Sequence, residues 1–177
     1  MVKTVAVFLV ALGMSSAALA GERDVLVRFD GGIGVIPVQN GAGPMNADGT
    51  FPNVKLNVVR GVAPGAGPWR IADLKADIYT DGRIRVRGRG LLLASTNSIG
   101  QNAGQSVFAT LICEAVAPFV EHVTSSVPLD ADGDFRINDV LSPVPSDCAS
   151  PVLLIRNKGG VWFAAGIQKL DDDDDDR

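Results

Sequence analysis

Between residues 24 and 168 the apolar positions recur mostly at every second place, in short runs bounded by Gly, Pro and Asn. A period of two marks strands with one buried face, and no long helical stripe competes with it. Three turns share one device. Phe29-Asp30-Gly31-Gly32-Ile33, Tyr79-Thr80-Asp81-Gly82-Arg83 and Asp130-Ala131-Asp132-Gly133-Asp134 each place Gly last in a three-residue loop. That composition fits a type I turn followed by a left-handed glycine, the bulged hairpin.

The second turn also fixes a register. With Thr80-Asp81-Gly82 as the loop, Ile78 meets Ile84, Ala76 meets Val86 and Leu74 meets Gly88 on one face. Asp77 meets Arg85, Lys75 meets Arg87 and Asp73 meets Arg89 on the other. A two-residue loop would set Ile78 against Arg85 and mix the faces, so the longer loop is expected. The third turn by the same logic sets Leu129 against Phe135 and Val127 against Ile137. The first predicts a hairpin between strands at 24–29 and 33–38.

Further strands are expected at 54–60, 106–116, 119–127, 152–156 and 161–167, the last two joined by Asn157-Lys158-Gly159-Gly160. Residues 107–123 also fit a helical stripe through Phe108, Leu111, Ile112, Ala115, Val116, Phe119 and Val120. Pro118 and the β-branched content favour two strands. About ten short strands with regular turns predict an all-β, antiparallel β-sandwich, with a β-barrel as the alternative. Loops at 39–52, 61–68, 95–105 and 142–151 are where a site would sit on such a scaffold.

The two ends depart from this pattern. Residues 1–20 combine Lys3, an apolar stretch and Ala18-Leu19-Ala20, the layout of a secretory signal peptide with a small-x-small cleavage site. A membrane anchor is the other reading, but a spanning helix needs roughly 20 apolar residues. No transmembrane segment is expected in the mature chain, so residues 21–170 read as a single all-β domain, secreted or periplasmic. Residues 171–177 carry six aspartates and Arg177, a like-charge run expected to be disordered and solubilising, with loose cation or basic-partner binding as the alternative.

Charge follows the same division. Over the whole chain Lys and Arg number 16 and Asp and Glu 20, a net charge of −4. Without Lys3, Arg177 and the terminal aspartates the two signs balance, so the acidity is that of an acidic tail. A neutral body is not expected to bind nucleic acid. Export gives Cys113 and Cys148, the two cysteines of the chain, a meaning: a disulfide bond is expected, worth roughly 3–4 kcal/mol.

Candidate chemistry is sparse. Arg83, Arg85, Arg87 and Arg89 alternate strictly, which on a strand places four guanidinium groups on one face. Such a strip fits an acidic glycan, a phosphate-rich polymer or an anionic surface; equally it fits a solvated face neutralised by Asp73, Asp77 and Tyr79 across the hairpin. Asp130, Asp132 and Asp134 open like a calcium loop. Phe135 then stands where that loop has Gly, and Leu141 where it has its bidentate Glu, so a turn is expected and no metal. His122 is the only histidine, and a Ser-His-Asp or Cys-His arrangement would have to use it. Glu114 and Glu121 face each other if the chain turns at Ala117-Pro118, the pairing a retaining glycosidase needs; the plain reading is two rim carboxylates. Trp69, Trp162 and Tyr79 are the few platforms for stacking sugars. No cofactor motif is present.

Ile71-Ala72-Asp73-Leu74-Lys75-Ala76-Asp77, Thr80-Asp81-Gly82-Arg83-Ile84, Gly88-Arg89-Gly90-Leu91-Leu92-Leu93-Ala94 and Val127-Pro128-Leu129-Asp130-Ala131-Asp132-Gly133-Asp134-Phe135-Arg136-Ile137 together resemble a family of secreted bacterial all-β proteins of uncharacterised activity. The resemblance implies export and a single all-β unit, and transfers no functional residue. The expected role is an exported non-catalytic module, structural or ligand-binding, with a secreted hydrolase or an anion-binding arginine strip as alternatives.

Overall fold

A computed structural model describes residues 24–170; the expected signal peptide and acidic tail lie outside them. The strands are β1 (Val25–Gly34), β2 (Val38–Asn40), β3 (Val54–Leu56), β4 (Trp69–Arg70), β5 (Asp73–Tyr79), β6 (Arg83–Arg89), β7 (Leu92–Leu93), β8 (Ser106–Ile112), β9 (His122–Val123), β10 (Val127–Pro128), β11 (Phe135–Val140), β12 (Val152–Asn157) and β13 (Trp162–Lys169). A single turn of 3-10 helix, Thr96–Ser98, follows β7. The all-β antiparallel class is as expected.

One continuous sheet runs β10-β8-β12-β13-β1-β5-β6-β11, with β9 also on β8. It curls into a half-barrel, so opposite walls of the same sheet pack across one core and give the two-walled interior that a sandwich or a barrel requires. Its two ends meet where Val123 and Ser142 exchange backbone hydrogen bonds of 3.0 and 2.9 Å. Two small ribbons, β2-β3 and β4-β7, decorate it.

The core is a single cluster in which Leu74 and Ile78 of β5, Ile84 of β6, Leu111 of β8, Ile137 of β11 and Leu153 and Ile155 of β12 are almost wholly removed from solvent. On β6 burial alternates cleanly, because one face meets water. On β12 Leu153, Leu154, Ile155 and Arg156 are all buried, and the sequence there loses its alternation; a strand covered on both faces selects a continuous apolar run. Trp69 stacks on Phe163 at 4.0 Å, and the indole N–H of Trp162 donates to the Asn57 carbonyl at 3.1 Å. Both tryptophans are therefore core residues, not exposed platforms.

The β5-β6 hairpin has the predicted register at every pair from Asp73–Arg89 to Ile78–Ile84. Residues 107–123 contribute strands β8 and β9, as the β-branched content required. Cys113 and Cys148 form the disulfide, with Cα atoms 4.4 Å apart, tying the end of β8 to the loop before β12.

Two expectations are corrected. Phe29-Asp30-Gly31-Gly32-Ile33 is not a hairpin turn but a bulge within the single strand β1, whose register on β13 shifts between Phe29 and Gly32. Gly31 has φ +98°, which serves a bulge as well as a turn. The choice falls to the bulge because β1 has partners on both sides, β13 and β5, that hold it extended. At Gly34 an added Cβ would lie 2.0 Å from the Trp69 carbonyl oxygen, so that glycine permits close approach of β4. The second correction concerns residues 122–142. The Asp130–Asp134 turn forms, but β10 pairs with β8 and β11 with β6, so Val127 and Ile137 are not ladder partners.

Candidate functional site

The outward faces of β1, β5, β6 and β11 form charged rows across the sheet. Arg28, Asp77, Arg85 and Asn138 are successive register partners in one row; Asp30, Lys75, Arg87 and Arg136 make the next. Asp73 and Arg89 begin a third. The four-arginine pattern on β6 thus becomes two-dimensional, because β11 adds Arg136 beside Arg87. Arg136 gave no signal in the sequence: the residue across from it is set by the β6-β11 pairing, not by a turn.

Pairing on this face differs from what the hairpin alone implied. Asp77 bonds Arg28 on β1, at 3.6 Å, instead of Arg85. Lys75 bonds Asp30 at 3.2 Å. Arg83 turns back on its own loop, its Nε donating to Asp81 at 2.7 Å, and that contact holds its guanidinium still more firmly protonated. Arg85, Arg87, Arg89 and Arg136 are exposed and have no carboxylate within 4.0 Å among the described residues.

These arginines border two depressions. One, of about 540 Å³, is lined by Lys75, Asp77, Arg85, Arg87, Arg136 and Asn138. The other, of about 480 Å³, is lined by Arg87, Arg89, Val127, Pro128, Phe135 and Arg136 together with Asp130 and Asp134. Arg87 and Arg136 belong to both, so the two depressions adjoin along β6 and β11. Alternate residues on a strand stand about 7 Å apart, so Arg85, Arg87 and Arg89 offer guanidinium groups at that stride.

The remaining candidates are held in structural contacts. Glu114 accepts a hydrogen bond from the Val120 backbone N–H at 3.1 Å, and that bond, with His122 contributing, holds its carboxyl below the usual range. A general acid needs the opposite shift. Glu121 is ion-paired with the buried Arg156, whose guanidinium also bonds Thr110 and the Gly160 carbonyl and lies over the Phe108 ring. Sequence reasoning had no route to that pair, since 35 residues separate its members. His122 is buried, with Nδ1 2.6 Å from the Pro143 carbonyl oxygen, and so serves as a backbone donor.

Asp130, Asp132 and Asp134 build a turn. The Gly133 N–H donates to the Asp130 carbonyl at 2.9 Å, the Asp130 N–H to the Asp134 carbonyl at 2.9 Å, and the Gly90 N–H to Asp134 Oδ1 at 3.0 Å. Among the described residues no three His, Cys, Asp or Glu side chains are grouped to hold a metal ion, and no helix is long and apolar enough to cross a membrane. No protein-family model, curated protein or solved structure matches the chain.

Proposed function

We propose that this chain is an exported, non-catalytic binding module that holds an acidic glycan along the outer trough of β6 and β11. One observation carries the reading: Arg85, Arg87, Arg89 and Arg136 have no carboxylate within ion-pairing distance among the described residues and border two adjoining depressions, while Asp77 is engaged by Arg28 and Asp81 by Arg83. Unpaired guanidinium groups keep a local positive potential on a body whose formal charges balance, and their forked donors match carboxylate and sulfate oxygens. A trough favours a rod-like polymer over a flat bilayer. With Trp69 and Trp162 buried in the core, recognition is by charge and not by stacking. The disulfide is compatible with an oxidising compartment.

The test is binding of the full chain to dextran sulfate and polygalacturonate, with neutral dextran and anionic lipid vesicles alongside. The acidic polysaccharides should bind, weaken with rising salt as exposed charges are screened, and lose about tenfold or more in affinity in the Arg85→Ala/Arg87→Ala/Arg136→Ala variant. Equal binding to neutral dextran, preference for vesicles, or an unaffected triple variant would each sink the proposal.

A further inference from the structure

The β2-β3 ribbon stands apart from the core. It is a two-stranded sheet of its own, and Val38, Val54 and Leu56 belong neither to the core cluster nor to the side chains packed against it. Every residue of the two strands is exposed. Register divides the two faces of the ribbon by chemistry. Val38 lies opposite Leu56 and Asn40 opposite Val54, so alternation sets these four side chains on one face; Gln39 and Lys55, opposite each other, take the other. The first face is uncharged and, apart from Asn40, apolar. Val54 is 70% exposed and Leu56 58%. Ile36, just before β2, and Val58, just after β3, are exposed as well. Nearly half of the large apolar side chains exposed among the described residues fall between residues 36 and 58.

A two-stranded ribbon is marginal by itself in water, and this one keeps its apolar face there. These side chains present roughly 400 Å² of apolar surface, the size of patch that marks an interaction site on a monomer. Two such faces packed together, with the rim around them, bury about 1,000 Å², the least that a specific interface needs. The face offers no charge to select a partner of opposite sign. Between residues 36 and 58 the charged side chains are Asp48 in the connecting loop and Lys55, whereas an element that lies on an anionic bilayer is rich in Lys and Arg. The face is complementary to itself: about a two-fold axis apolar side chains meet their own counterparts, and Lys55 of each copy stays on the outer side, in water. We propose that the β2-β3 ribbon is a dimerisation arm whose occupant is the same face of a second copy of this chain. The two ribbons stack as small sheets about 10 Å apart, with Val38, Val54 and Leu56 of each copy between them. An interface of this size is weak, with a dissociation constant of the order of micromolar. The glycan-binding reading is independent of it, since those arginines belong to the other, larger sheet.

The test is sedimentation velocity on the full chain at concentrations from about 1 μM to about 100 μM, which bracket that constant. The chain should pass from monomer to dimer over this range. The Val54→Lys/Leu56→Lys variant sets like charges against each other across the two-fold axis and should weaken dimerisation by about tenfold or more. Gln39→Lys, on the opposite face, should leave it unchanged. Both variants should keep the Cys113–Cys148 disulfide and the amide spectrum of β5 and β6, because the substituted residues lie outside the core. In the unmutated chain the amide signals of Val38, Val54 and Leu56 should move with concentration while those of Val86 and Ile137 stay fixed; this measurement decides the matter if a variant misfolds. A chain that stays monomeric throughout, a dimer unaffected by Val54→Lys/Leu56→Lys, or one weakened equally by Gln39→Lys overturns the proposal. So does a monomer that binds phosphatidylcholine vesicles through Val54 and Leu56, which would assign the face to a bilayer.

Discussion

The hairpins at residues 73–89 and 122–142 use the same turn and end differently. Both turns place a glycine at φ +81°, Gly82 in one and Gly133 in the other, with its N–H donating back across the loop. After the first, β5 and β6 stay paired for six residues in one register. After the second, the strands separate: β10 joins β8, β11 joins β6, and backbone contact resumes only at Val123 and Ser142. The pairings on either side differ by one residue, since Asp130–Asp134 and Val123–Ser142 do not share a register. Side chains serve the interval, one bond crossing it and another fastening its first flank to β8. Asp139 Oδ2 accepts from the Ser125 N–H at 2.7 Å, and Thr124 Oγ1 accepts from the Ala109 N–H at 3.0 Å. A turn sequence therefore sets how the chain reverses, but the partners available on each flank decide whether a ladder follows.

The largest way to probe this contrast is to remove the disulfide. The 122–142 side lacks a full ladder, and the Cys113–Cys148 tie anchors the end of β8, the strand on which β9 and β10 pair, closing a loop with a sequence separation of 35. A Cys113→Ala/Cys148→Ala variant should lose about 4 kcal/mol in denaturant unfolding. Hydrogen exchange should show β8, β9 and β10 losing protection first while β5 and β6 keep theirs. Uniform loss across the sheet would mean that the two regions do not differ as described.

A sharper comparison comes from the two turn glycines. A Cβ on Gly133 would lie 2.6 Å from the Leu91 carbonyl oxygen and 2.7 Å from its nitrogen, backbone atoms that cannot swing away. A Cβ on Gly82 would meet only the methyl groups of Val144, a half-exposed side chain, at 2.8 Å. Gly133→Ala should cost about 3–4 kcal/mol, left-handed strain plus the collision, and Gly82→Ala about 1–2 kcal/mol, the strain alone. Equal losses in matched unfolding curves would show that the docking of the second turn on Leu91 carries no energy.

The smallest effect belongs to Asp139. Backbone N–H groups of Ser125 and then Val140, the latter at 2.8 Å, hold its carboxyl below the usual range. Because the folded value is the lower one, the stabilisation is present above the unfolded pKa of about 4 and is lost as pH falls through the folded value. Asp139→Asn should cost about 1 kcal/mol at neutral pH, since the site is largely solvated and the bonds are charge-assisted. The difference from the native chain should close on acidification. A penalty that persists unchanged to low pH would assign the loss to shape instead of charge.

Much of the fold could be read without coordinates. Wherever one face meets water, alternation is visible, as along Leu74, Ala76, Ile78, Ile84 and Val86. Where both faces are covered, as at Leu153, Leu154 and Ile155, only the run of apolar residues remains, and its partners cannot be inferred. β3 falls within the strand expected at 54–60, but its pairing with β2 was hidden because Val38 and Val54 stand either side of a segment rich in Gly, Pro and Asn, which reads as loop. The site was half legible: the arginines of β6 stand out by spacing, whereas Arg136 enters through a long-range strand pairing.

The sequence alone determined the class of fold, the turns at Asp81-Gly82 and Asp132-Gly133, the register of the β5-β6 hairpin and the pairing of the cysteines. Each depends on local geometry or on there being no alternative partner. Only the tertiary structure decided that Asp30-Gly31 is a bulge, that the second hairpin splays, and that Asp77 serves Arg28 and leaves Arg85 free. Those outcomes turn on competition among strands distant in sequence. A carboxylate has several cations within reach, and the sheet order selects which one it meets.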